Sequence, residues 1–301
     1  MDSRGLPIIW QPNSLPQALF LSCPFPEVLF GGARGPGKTD SLLTDYLQFV
    51  GQGLREFWKG IIFRHTYKQL EEIVGKSERF FPSIIKGAKF RSTAMTWSFP
   101  DGETLRFRHA KRIADMENYQ GHEYPFVGFD EICNQPSMDV YETAKGFCRS
   151  SNPQAPKLIR CTANPLGVGH LWVKRYFIDP APPFTPITDA AGSKRVFIPA
   201  TIYDNKHLIE ADPKYLLRLE SITDDNLRAH GSTATGTWSP GRSSGTYGRL
   251  IGMSSGRSPS PKAGTASGRS TGAARTPSPW AGGPSRTARQ RRTAFSTPVG
   301  H

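Results

Sequence analysis

Between Val28 and Thr39 the chain reads VLFGGARGPGKT, a short apolar run followed at once by a glycine-rich loop. From Gly32 to Thr39 it satisfies G-x-x-x-x-G-K-[ST] without a mismatch, the loop whose backbone N–H groups surround the phosphates of a nucleoside triphosphate. Gly32, Gly35 and Gly37 permit a close backbone approach that a side chain would block. Lys38 has the reach and charge for the β- and γ-phosphates, and the Thr39 hydroxyl is a ligand type suited to Mg²⁺. The following SLLTDYLQFV repeats apolar residues at helical spacing, so the loop enters a helix N-terminus, whose dipole favours anions. Strand, loop and helix in that order predict an α/β nucleotide-binding fold.

Charge is spread unevenly along the 301 residues. Residues 231–301 hold ten Lys or Arg and no Asp or Glu, so this segment supplies most of the formal net charge of +13 and leaves about +3 for the first 230. That excludes reading the whole chain as one basic DNA-binding surface. Cys23, Cys133, Cys148 and Cys161 form no C-x-x-C pair and have no His at metal spacing, which argues against zinc and for reduced structural thiols. No apolar run approaches the ~20 residues that span a bilayer, and the N-terminus lacks a charged segment followed by an apolar core. A soluble, intracellular protein without membrane partners is expected.

Other segments add to the site. Gln17 lies ahead of the loop, where a side-chain amide either reads an adenine edge or is a solvated turn glutamine. Gly60 to Phe63 reads as a second strand entering a helix near Tyr67, and Arg64 at the strand end either faces the nucleotide or is a surface charge. Two alternating segments around Pro100-Asp101-Gly102 carry a hairpin signal. In YPFVGFDEI an apolar strand ends in Asp130-Glu131, the first carboxylate placed to hold Mg²⁺ and the second to polarise an attacking water. A further strand from Lys157 stops at Asn164-Pro165. There Thr162 and Asn164 either bond the lytic water or γ-phosphate, or merely cap the strand. Strands alternating with helical segments predict a mainly parallel sheet covered on both faces. RVFIPATIYDN and the helical pattern PKYLLRLESI continue the apolar material to about residue 230.

Four segments carry a specific resemblance: GGARGPGKTD at 31–40, FRHTYKQLE at 63–71, YQGHEYPFVGFDEI at 119–132 and CTANPLGVGHLWVKRYFID at 161–179. Over roughly residues 1–230 the chain resembles the ATPase domain of a tailed-bacteriophage terminase large subunit, the motor that packages viral DNA. The resemblance implies a P-loop fold of the additional-strand, conserved-glutamate type, with ATP and Mg²⁺ as its ligands. It implies a ring of subunits on the portal of a procapsid, a small terminase subunit as partner, double-stranded DNA as cargo, and the cytoplasm of a bacterial host as location. By motif match Lys38 and Thr39 bind phosphate and Mg²⁺, Asp130 holds the metal, and Glu131 is the catalytic base. Arg34 matches an arginine that stabilises transition-state charge, and Gln17 the adenine-reading position. Gly32, Ala33, Gly35, Pro36 and Gly37 complete the phosphate loop, and Thr162, Ala163 and Asn164 fall on the coupling motif. Pro36, where many relatives place Gly, should stiffen the loop.

The resemblance also implies a second, nuclease domain that cuts DNA with clustered carboxylates and two metals. Residues 231–301 contain no carboxylate, so they are expected to be a disordered basic tail without nuclease activity, or the nuclease domain translated in the wrong reading frame. Two other readings of the chain are a helicase or repair ATPase with a P-loop, and an inactive prophage remnant.

Overall fold

The first strand is buried at all six positions of Glu27–Gly32 (β1), a pattern that requires cover on both faces of the sheet rather than one. The computed structural model describes residues 10–33, 35–215 and 218, all of which belong to one compact unit. The helical pattern at 213–222 falls mostly outside the described residues, and residues 231–301 do so entirely.

Nine strands form one sheet. After β1 come β2 (Lys59–Arg64), β3 (Lys89–Arg91), β4 (Thr96–Ser98), β5 (Thr104–His109), β6 (Phe126–Phe129), β7 (Leu158–Ala163), β8 (Ile187–Thr188) and β9 (Lys194–Ala200). Their order is β3-β4-β5-β2-β6-β7-β1-β9-β8. The six strands from β5 to β9 are parallel, and β3, β4 and β8 add antiparallel edges. One strand, β7, lies between β1, which feeds the phosphate loop, and β6, which ends at the acidic pair. That inserted strand is the additional strand the fold class requires, so the mainly parallel, helix-flanked P-loop architecture holds.

The helices are α1 (Leu15–Ser22), α2 (Lys38–Leu47), α3 (Tyr67–Ile84), α4 (Asp139–Phe147), α5 (His170–Val173, continuing as a π-helical turn to Ile178) and α6 (Lys206–Ala211). Local chemistry sets their starts. Ser14 caps α1 by accepting the Gln17 N–H, and Thr66 and Gln69 form a reciprocal capping box at α3. On one face of the sheet Tyr46 of α2 stacks on Trp58 with centroids 5.5 Å apart and meets Phe126 edge-on at 5.4 Å. Val127 and Phe129, alternate positions of the same strand, join the cluster of Phe63, Tyr141, Phe147 and Phe177 on the opposite face.

The expected strand at Gly60–Phe63, the helix beginning at Tyr67 and the hairpin at Pro100-Asp101-Gly102 are all present. The hairpin is larger than expected: β3 pairs with β4, and β5 pairs in parallel with β2. Lys194–Ala200, read from sequence only as apolar material, is β9 and pairs with β1 along its length.

Candidate nucleotide and metal site

All six parallel strands deliver their C-terminal ends to one edge of the sheet, and the phosphate loop leaves β1 there. Gly32 has φ 134°, and a Cβ at this position would fall on the Ala200 carbonyl of the neighbouring strand. Gly37 caps α2 in the left-handed region at φ 76°, with no side chain bonded to the first-turn N–H groups. A Cβ there would collide with the Gln17 amide. A backbone carbonyl excludes any side chain at Gly32, the left-handed backbone favours glycine at Gly37, and the N-terminus of α2 carries no side-chain cap in the way of an anion.

The Lys38 ammonium is surrounded by acceptors: the Gly32 carbonyl at 3.2 Å, the Ala33 carbonyl, and Asn164 Oδ1 at 3.0 Å. Thr39 Oγ1 donates to Asp130 Oδ1 at 3.1 Å, bringing together a hydroxyl and a carboxylate from α2 and from the end of β6. Hard oxygen ligands of this kind, beside a phosphate loop, fit Mg²⁺. Thr162 Oγ1 also donates to Asp130 Oδ1, at 2.6 Å, and accepts the Glu131 N–H at 3.0 Å. Ala163 is buried beneath the loop in register with Gly31. Thr162 and Asn164 therefore touch the candidate metal carboxylate and the Lys38 ammonium, and do more than end a strand.

Arg64 is buried and is no surface charge. Its Nε and Nη2 donate to Asp130 Oδ2 at 2.8 and 2.5 Å, while Nη1 lies 3.2 Å from Glu72 and 3.8 Å from Glu131. Burial alone would lower the Arg64 pKa, but Asp130 and Glu131 hold it above the ordinary arginine value. Asp130 Oδ2 thus serves Arg64 and also lies 3.4 Å from Thr39 Oγ1, while Oδ1 is turned toward the two threonines. For Glu131, burial raises the pKa and the adjacent Asp130 adds to that, against the opposing Arg64 charge. A carboxylate with raised affinity for a proton suits a general base.

Gln17 is buried in α1, not solvated. Its Oε1 accepts the Asn13 N–H at 2.7 Å and its Nε2 donates to the Gly37 carbonyl at 3.2 Å, so the side chain props the phosphate loop. Pro36 is buried in the same loop. Arg34 lies outside the described residues.

Four contacts carry no signal in the sequence. Asn134 Nδ2 donates to Glu131 Oε2 at 3.1 Å, and Asn205 at the start of α6 donates to the Gly35 carbonyl. The loop after β7 is fastened to the turn after Glu131, with Gly169 N–H donating to the Cys133 carbonyl and Trp172 Nε1 to the Gln135 carbonyl, each at 2.8 Å. Between these two loops a cavity of about 270 Å³ is lined by Glu131, Cys133, Asn134, Asn164, Leu166 and Gly167. Burial pushes the Cys133 thiol up to about 12, so it is no nucleophile. Among the described residues no His, Cys, Asp and Glu cluster beyond this site has the makings of a metal centre, and no helix is long and apolar enough to cross a membrane.

Residues 29–244 match the model of the family described as terminase large subunit, T4likevirus-type, N-terminal. The fold is similar to that of the large terminase of a thermophilic bacteriophage, with 17% identity and a TM-score of 0.52 over 68% of this chain and 50% of that one. The same phage protein in complex with ADP aligns with a TM-score of 0.50 and 17% identity over 67% of this chain and 50% of that one. The ATPase domain of the Thermus phage P74-26 large terminase aligns over 75% of this chain and 95% of its own length, at 16% identity and a TM-score of 0.50. The chain spans about half the length of the first of these relatives. No curated protein sequence matches it significantly.

Proposed function

The chain belongs to the terminase large-subunit family of T4-like-virus type, and from that premise we propose that it is the ATP-hydrolysing motor subunit of a phage DNA-packaging terminase. The observation that carries this reading is the meeting of Lys38, Thr39, Asp130, Glu131, Thr162 and Asn164 at one edge of the sheet. The phosphate loop from Gly32 to Thr39 binds the triphosphate, with Gln17 beneath it on the adenine side and Arg34 supplying charge to the transition state. Thr39 and Asp130 would hold Mg²⁺, which when bound would supply neutralising charge to the phosphate oxygens. Arg64 keeps the Asp130 carboxylate aimed at Thr39, and Glu131 accepts a proton from the attacking water. Thr162, Ala163 and Asn164 link the state of the phosphates to β7 and to the loop beyond it.

Coupled in this way, hydrolysis drives double-stranded DNA into a procapsid. The chain acts as one member of a ring on the portal, with the small terminase subunit as partner, in the cytoplasm of the bacterial host. Residues 231–301 supply no carboxylate for a two-metal nuclease centre. Their composition supports a shifted reading frame over a domain-forming sequence.

The experiment is nucleotide binding and phosphate release by the purified chain, with and without double-stranded DNA. Lys38→Ala is expected to abolish ATPγS binding, and Glu131→Gln to retain binding while losing at least a hundredfold in turnover, about the contribution of a general base. Unchanged turnover in Glu131→Gln sinks the assignment of the base. Binding that survives Lys38→Ala sinks the site.

A further inference from the structure

Glu131 occupies an unusual backbone position, φ 59° and ψ 53°, which costs a non-glycine residue about 1 kcal/mol or more. What holds it there comes from three sides. Its N–H donates to Thr162 Oγ1, its carbonyl accepts the Asn134 N–H at 2.9 Å, and its Oε2 accepts Asn134 Nδ2 at 3.1 Å. Arg64 Nη1 approaches the same Oε2 at 3.8 Å, beyond hydrogen-bond reach. Oε1 accepts no hydrogen bond among the described residues. Glu131, Asn134 and Asn164 also share the wall of the cavity of about 270 Å³ between the Glu131 turn and the loop after β7.

We propose that Asn134 is a positioning residue for hydrolysis, fixing Oε2 so that Oε1 is the oxygen presented to the attacking water. In that step the water oxygen bonds to the γ-phosphorus and its proton passes to Glu131 Oε1. The bond from the γ-phosphorus to the bridging oxygen breaks, and ADP leaves with the electron pair. An unanchored carboxylate rotates about its last torsions and loses the aim that proton transfer needs. Only the side chain of Asn134 is at issue, because the backbone bond to the Glu131 carbonyl survives any substitution that keeps the turn. The inference rests on the ATPase reading and concerns a residue that the phosphate loop, the acidic pair and the coupling motif do not contain.

The test separates ground-state binding from transition-state binding in the full chain. For Asn134→Ala the expected result is an ATPγS dissociation constant within about twofold of the parent, and affinity for ADP–fluoroaluminate and turnover both about tenfold lower. Asn134→Asp keeps the size and the turn but sets a carboxylate against Oε2, and a larger loss is expected. In a Glu131→Gln background, Asn134→Ala should add no further loss of ADP–fluoroaluminate affinity. The proposal is overturned if ADP–fluoroaluminate binding is unchanged in both variants, if ATPγS and ADP–fluoroaluminate affinities fall together, or if the losses add in the Glu131→Gln background. A parent chain that fails to bind ATPγS overturns the ATPase reading, and this inference with it, which distinguishes the two failures.

Discussion

Lys38 has three N–H donors, and among the described residues the Gly32 and Ala33 carbonyls and Asn164 Oδ1 stand around it as acceptors. Phosphate oxygens therefore compete with Asn164 Oδ1 for the same ammonium. Binding of a triphosphate exchanges that contact and frees the Asn164 carboxamide, whose NH₂ can donate where its oxygen formerly accepted. A hydrogen bond to a charged group contributes on the order of 1.5–3 kcal/mol, of which part is recovered from water when it breaks. Asn164→Ala is thus expected to tighten ATPγS binding by about three- to tenfold while lowering DNA-stimulated turnover, as read by titration calorimetry and phosphate release. A variant that binds more weakly would show that Asn164 serves the bound state and not the empty one. Residue by residue, Lys38, Thr39, Asp130 and Glu131 were legible because each sits in a motif with fixed local spacing. The Arg64 contact was not, since it depends on the register that places Phe63 opposite Phe129 and so brings the ends of β2 and β6 together. Asn134 was less legible still, because the left-handed turn at Glu131 that aims its amide leaves no mark in the sequence.

At the scale of elements, the site depends on how α2, β6 and β7 are held relative to one another. Arg160, fully buried on β7 two residues before Thr162, donates through Nε to Asp45 Oδ2 at 2.8 Å and also reaches the Cys23, Phe25 and Pro26 carbonyls. This ion pair ties the helix that begins at Lys38 to the strand that ends at Ala163, just before Asn164. Removing one partner of such a pair leaves an uncompensated buried charge, so Asp45→Ala is expected to cost about 3–5 kcal/mol in urea unfolding. A loss below about 1 kcal/mol would mean that the carbonyls alone satisfy Arg160. The loop after β7 offers a second test. A Cβ at Gly169 would overlap the Gln135 carbonyl and approach Trp172 Nε1 to 2.5 Å, so Gly169→Ala should force the loop off the Glu131 turn. Overpacking of this kind costs about 1–3 kcal/mol, and turnover should fall with little change in ATPγS affinity. Full activity in Gly169→Ala would uncouple that loop from the site. The strand missed in the sequence has a physical explanation at this scale as well. Pro199 argues against a strand because it has no N–H to give. It is tolerated in β9 because β8 pairs only with Lys194 and Arg195, so the outer edge at Pro199 has no ladder to complete among the described residues.

For the whole molecule, the two parts of the sequence on either side of residue 230 follow different chemistry. Through residue 230 acids and bases nearly balance and apolar residues recur at strand and helix spacing, while the family match, which begins at 29, runs on to 244, fourteen residues past that change in composition. From 231 onward Arg, Gly, Ser, Thr, Pro and Ala dominate and acids vanish, a bias that shifted GC-rich coding sequence tends to produce. The genetic code allows the idea to be stated at single codons. Joining the third base of each codon to the first two of the next, Thr237 to Gly248 is compatible with V-V-A-G-A-F-F-G-D-V-W. Around Arg269 the same operation permits S-F-D-W-G, a stretch with an aspartate of the type a two-metal nuclease requires. The nucleotide sequence decides it. The expected outcome is an open shifted frame across codons 231–301 with an aspartate codon spanning Ser270 and Thr271. Stop codons in that frame, or any other codon at that junction, reject the shift and leave a genuine basic segment, whose DNA affinity would then fall steeply with salt. Restoring the frame by one inserted or deleted base would carry a further consequence: metal-dependent cleavage of plasmid DNA should appear in the restored protein and be absent from the present chain. Cleavage by the present chain would require carboxylates that residues 231–301 do not contain.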